Sequence, residues 1–171
     1  MMMIPGRFVG PVLLLALLVP ARSPARAAQP GADLTFQRLK GLVGDWESPL
    51  TDGRRLRVSY RLFSADTVLL ETFGTARPTL TAYHLDGDRL LATHYCAQGN
   101  QPRLRLVSPA TGGRLVFEFM DATSLSKDAS HLRRLELDLV DSDHFTRSET
   151  YRSGKESQTT TYSFARVGAG A

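Results

Sequence analysis

Cysteine is nearly absent from this 171-residue chain: Cys96 stands alone, so no internal disulfide can form. Export permits disulfides without demanding them, and a chain of this length can bury a core without such staples. Metal and nucleophile signatures are absent too. No P-loop, His-Glu-x-x-His, Gly-x-Ser-x-Gly or Cys-x-x-Cys pattern occurs, and His84, His94, His131 and His144 lack close ligand spacing. No apolar run reaches the roughly 20 residues needed to cross a bilayer core of ~30 Å. A strong charge of one sign is missing as well, despite the formal +4 of the whole chain. Arg7, Arg22 and Arg26 all sit in the N-terminal segment; without them, eighteen basic side chains face 17 acidic ones. That near balance gives no electrostatic footprint for nucleic acid or an anionic membrane. Arg54, Arg55 and Arg57, and the pair Arg133 and Arg134, fall in alternating segments where every second side chain meets water.

What is present begins with a leader. Arg7 precedes an apolar stretch, unbroken from Val12 to Val19, and Ala25-Arg26-Ala27 offers small residues at the −3 and −1 positions of a cleavage site. This is the order of a secretory signal peptide, expected over residues 1–27, and no cysteine follows to carry a lipid anchor. The expected mature domain is residues 28–171, periplasmic or extracellular, with no stable membrane anchor after cleavage.

The rest predicts one short helix and many strands. Asp33 reads as an N-cap, with Leu34, Phe36, Leu39, Leu42 and Val43 at roughly helical spacing and Gly44 as a stop. Beyond it, Leu56, Val58, Tyr60 and Leu62 alternate with polar residues, the mark of a half-buried strand. Asp86-Gly87-Asp88 marks a tight hairpin turn between Leu80–Leu85 and Leu90–Cys96. Further strands run through Leu104, Phe117, Leu135, Phe145 and Tyr162. No helix pattern alternates with them, so a parallel sheet is excluded. Eight to ten strands with short connections predict an all-β, antiparallel up-and-down barrel of lipocalin-like type.

Gly44-Asp45-Trp46, between helix and first strand, resembles the Gly-x-Trp signature of lipocalins and related calycins. The resemblance implies that Trp46 plugs the closed end of a barrel and that Arg166, in Phe164-Ala165-Arg166, packs over its indole. A longer set, Tyr83-His84-Leu85-Asp86-Gly87-Asp88-Arg89-Leu90, Thr93-His94-Tyr95-Cys96-Ala97 with Gly99-Asn100-Gln101-Pro102-Arg103, and Phe117-x-Phe119-x-Asp121-Ala122-Thr123, is similar to uncharacterised secreted bacterial lipocalin-like domains. That resemblance implies fold and export and carries no catalytic residue. A more distant likeness is to nitrobindin-type haem barrels, although their extended Gly-rich opening motif is missing.

Four side chains are candidates for ligand contact. The register of the Asp86-Gly87 hairpin puts Tyr83, Leu85, Leu90, Ala92, His94 and Cys96 on one face, the more apolar one and so the expected interior. A His and a thiolate can ligate a soft metal, a lone inward His can ligate haem iron, and a Cys–His pair can act as nucleophile and base. Positions i and i+2 on a strand lie about 7 Å apart, so the pair needs a third group to orient it. Phe145, Arg147, Glu149 and Tyr151 share another face; if it is interior, Arg147 can anchor a carboxylate, and if not, His144, Thr146, Ser148 and Thr150 line the barrel. The loops at Asn100–Arg103 and Asp121–Ser124 can form the rim. Three readings follow: a non-enzymatic exported barrel holding a small apolar or amphipathic ligand, with no cofactor; a haem, metal or redox protein using His94; and a filled barrel acting through its surface on a protein partner.

Overall fold

The computed structural model describes residues 31–108 and 112–168, and the expected leader lies outside them. One helix, α1 (Ala32–Lys40), precedes ten strands: β1 (Gly44–Pro49), β2 (Arg55–Phe63), β3 (Val68–Phe73), β4 (Thr79–Asp86), β5 (Arg89–Tyr95), β6 (Gln101–Leu106), β7 (Arg114–Thr123), β8 (His131–Leu139), β9 (His144–Ser153) and β10 (Glu156–Arg166). Each strand pairs antiparallel with the next, and β1 meets β10 to close the barrel. The fold is therefore the all-β up-and-down barrel that the alternation predicts, at the upper end of the expected strand count.

Local chemistry explains the connections. Gly87 takes φ 62° in the β4–β5 turn, where a side chain would be strained. The helix departs in detail from its sequence reading. Gly31, at φ 85°, is the N-cap, and its carbonyl accepts from the Thr35 N–H at 2.9 Å. Asp33 instead sits in the first turn, where its charge faces the positive end of the helix. The helix stops at Gly41, and Gly44 opens β1 instead. Pro102 is the second residue of β6, where the ladder to β5 has not yet begun, so its missing N–H breaks no pairing there.

One end of the barrel is sealed. Thr35, Phe36 and Leu39 of α1 are buried, and the helix lies against β4 and β5. Beneath it the Trp46 ring meets Phe145 edge-on at 4.9 Å, and Phe145 stacks on Phe164 at 5.0 Å. Leu69, Leu90, Leu104, Leu115 and Leu137, at zero exposure, belong to the same buried core. The opposite end differs. The β1–β10 register covers only Trp46↔Arg166 and Glu47↔Ala165, so among the described residues Glu156–Ser163 of β10 extends beyond any strand on that side. Residues 156–161 are exposed on both faces of β10, including the inward-directed Gln158 and Thr160.

Candidate functional site

The closed end is fixed by the two residues implied by the resemblance. The Arg166 guanidinium carbon lies 4.1 Å over the Trp46 ring. Its nitrogens donate to three carbonyls, of Val43 (2.8 Å), Gly41 (2.9 Å) and Ser142 (3.0 Å), and the Trp46 indole N–H donates to Leu42 O at 2.7 Å. Arg166 thus ties β10 to the helix exit and to the β8–β9 turn while covering the indole. Gly44 makes room for this: a Cβ there would meet Arg166 Nη1 at 2.6 Å, and the backbone sits at φ 138°.

In the middle of the barrel four strands aim polar side chains at one point. Glu71 of β3 is wholly buried, and its carboxylate accepts from five directions. Tyr60 Oη (β2) and Tyr83 Oη (β4) each donate to Oε2 at 2.8 Å. Arg147 (β9) donates from Nη2 to Oε1 at 2.9 Å and from Nε to Oε2 at 3.4 Å, and Thr81 (β4) donates to Oε1 at 3.2 Å. Arg147 also pairs through Nη1 with Glu149 Oε1, and its guanidinium carbon lies 4.2 Å over the Phe73 ring. Arg147 and Glu71 have side chains at 0% exposure, and Glu149 at 11%. The interior face of β9 is therefore Phe145, Arg147 and Glu149.

Burial opposes the charge on Glu71, but Arg147 beside it and the bonds from Tyr60, Arg147 and Tyr83 outweigh burial and hold its carboxyl below the usual value. Burial, then the Glu71 charge, pushes the Tyr60 and Tyr83 phenols well up, so both keep the protons they donate. Burial works against the Arg147 charge, yet Glu71 and Glu149 raise it well above its ordinary value. Burial and then the Arg147 charge bring His94 down to about 4, so its ring is neutral at pH 7.

The hydrogen bonds assign the His94 tautomer. Thr81 Oγ1 has one proton and gives it to Glu71, so at 3.0 Å from His94 Nδ1 it accepts, and Nδ1 carries the hydrogen. His94 Nε2 then accepts from Tyr151 Oη at 3.1 Å. Burial, then Glu149, raises the Tyr151 phenol, consistent with its donating. Both ring nitrogens of His94 are engaged inside a wall of zero exposure. An iron at Nε2 would have to take the place of the Tyr151 hydroxyl. No group of three or more metal-ligating side chains occurs among the described residues.

Cys96 and His94 form no direct pair. Cys96 lies half-buried at the open end, where Sγ donates to Gln98 Oε1 at 3.6 Å. It also touches the Tyr151 hydroxyl, so Tyr151 stands between thiol and imidazole. Beside the buried cluster, Phe73, Tyr151 and Tyr162 are half-buried, with Phe73 and Tyr162 5.8 Å apart. Four hollows of about 370 to 550 Å³ lie at other places, and none is lined by Glu71, His94 or Arg147. The expected rim residues are tied down: Asn100 donates to Ser130 O at 2.9 Å, and Arg103 holds Asp121 at 2.5 Å.

Glu71, the centre of the cluster, is the residue that sequence reasoning misses. Its signal is a single carboxylate inside the apolar run Val68-Leu69-Leu70-Glu71-Thr72-Phe73. On a strand paired on both sides, such a charge must find a partner.

The chain matches no protein-family model and no curated protein. Among solved structures it is similar to the crystal structure of Rv2717c from M. tuberculosis, with 17% identity and a TM-score of 0.49 over 82% of this chain and 99% of that one. At that distance no residue is carried from one to the other.

Proposed function

We propose that this chain is an exported binding protein whose barrel takes a small amphipathic molecule at its open end, without a cofactor. The observation that carries the reading is the lining of the interior toward the open end: half-buried Phe73, Tyr151 and Tyr162 border the buried Arg147–Glu149 pair, with Tyr162 opposite Arg147 in the β9–β10 register and the Phe73 ring 4.2 Å from the Arg147 guanidinium. Aromatic walls over a few fixed polar groups suit a ligand with an apolar body and one polar end. Glu149, 11% exposed, supplies an acceptor near the open end, and the Tyr162 phenol is raised by burial and then by the Glu149 charge. In this reading Tyr83, His94 and Arg147 shape the floor and Glu149 meets the ligand. The carboxylate anchor that an interior Arg can provide is already filled by Glu71 and Glu149. Export follows the leader expected over residues 1–27.

Thermal unfolding against a panel of single-chain amphiphiles tests this. A stabilising amphiphile should lose its effect in Tyr162→Ala and weaken in Glu149→Gln. No shift from any amphiphile, or equal shifts in both variants and the parent, contradicts the reading. A second reading, a filled barrel acting on a protein partner, is favoured by the bare β10 edge over Glu156–Ser163, since unpaired strand backbone is a template for another chain. Backbone amide exchange along that edge should slow when such a partner is added.

A further inference from the structure

A hollow of about 480 Å³ beside the open end lies outside the barrel proper, under the segment that joins β7 to β8. Phe119, Lys127, Asp128, His131, Arg133 and Arg152 are in its wall. Three formal positive charges thus face one negative charge, while His131 is held at Nδ1 by Ala129 O at 2.9 Å.

The arginines here are held differently from most on the barrel surface. Arg54, Arg57, Arg61, Arg103 and Arg134 each grip a carboxylate. Arg133 and Arg152 form no ion pair among the described residues and are fixed by backbone carbonyls instead. Arg133 Nη1 donates to Phe119 O at 3.3 Å with its guanidinium 5.5 Å over the Phe119 ring, and Arg152 Nε donates to Gly154 O at 2.9 Å. The ladder between β8 and β9 shifts register between Leu132 and Arg134, and Arg133 is the residue left out of it. A bulge of this kind re-aims a side chain, here toward the hollow. Arg152 reaches the same hollow from β9, where it is the register partner of His131. Two guanidinium groups are therefore set in place with donors to spare and no carboxylate partner among the described residues.

We propose that this hollow binds an oxyanion, a phosphate group, gripped by Arg133 and Arg152 with Lys127 adding charge and the Phe119 ring forming the floor. Guanidinium forks match phosphate oxygens in pairs, and holding them beforehand lowers the entropy lost on binding. The inference is independent of the amphiphile reading, because none of these residues belongs to the buried cluster.

The test is titration of the purified protein, at low ionic strength, with inorganic phosphate in one arm and phosphatidylglycerol vesicles in the other. The double variant Arg133→Gln/Arg152→Gln is compared with Arg55→Gln/Arg57→Gln, which alters charge equally on the β2 surface. Both pairs are on the surface, and circular dichroism checks that each variant folds. Saturable phosphate binding that weakens at least tenfold in the first variant only supports a free phosphate ligand. Vesicle binding with the same dependence, without binding of free phosphate, supports the proposal with a lipid headgroup as the phosphate source. No binding in either arm, or equal loss in both variants, overturns it.

Discussion

Glu71 and Arg147 form a buried ion pair in which each partner alone would be an uncompensated charge. Glu71→Ala should therefore cost about 3–5 kcal/mol in chemical denaturation, because Arg147 is left buried with only Glu149. Glu71→Leu combined with Arg147→Met and Glu149→Gln should recover part of that loss, since apolar packing replaces the ion pair while the Tyr60, Tyr83 and Thr81 hydroxyls lose their shared acceptor. A triple variant as unstable as the single one would show that the cluster is not a self-contained unit. His94 supplies a separate pH test. Its pKa falls from 6.5 to about 4 in the fold, so between these values the unfolded chain takes up a proton that the folded chain refuses. Stability contributed by the neutral ring is complete above pH 6.5 and declines as pH drops toward 4, by about 3 kcal/mol in all. His94→Gln keeps a donor and an acceptor without titrating, and should flatten that window. Glu71, whose pKa is lowered, adds stability that is present above its ordinary 4.5 and is lost below it, so the two groups act in different ranges.

At the scale of elements, the closed end depends on β10 reaching both α1 and the β8–β9 turn through one side chain. Arg166→Ala removes the donor of three carbonyl bonds and the cover over the indole, and should cost about 2–3 kcal/mol. Arg166→Lys should restore little, because an ammonium cannot fork to separated carbonyls. Trp46 is the only tryptophan, so its emission should shift red as the ring is uncovered. An unshifted spectrum in Arg166→Ala would contradict the packing described. The strands themselves were legible: alternation in Leu56–Leu62 and the Asp86-Gly87 turn are local signals, and local backbone chemistry decides them. The interior face of β9 was not. Phe145, Arg147, Glu149 and Tyr151 alternate with His144, Thr146, Ser148 and Thr150, and both sets are largely polar. The choice is made by Glu71, 76 residues earlier in the chain, which gives Arg147 a buried partner. The helix start differs for a local reason: Asp33 has the right chemistry for a cap, but the N-cap position takes a positive φ of 85°, which Gly31 adopts without strain.

As a whole, the molecule is a barrel sealed at one end, ionic in the middle and open at the other. Sequence patterning could indicate a barrel but not its open end, because exposure of Gln158 and Thr160 depends on where β1 stops, not on any property of β10. The central claim is that a small amphipathic molecule occupies this open end. Native mass spectrometry of the protein, purified without detergent and then exposed to the stabilising amphiphile, tests it most directly. One bound molecule per chain is expected, retained in Arg133→Gln/Arg152→Gln and absent in Tyr162→Ala. A bare mass at every amphiphile concentration, or an adduct that Tyr162→Ala leaves untouched, would contradict it.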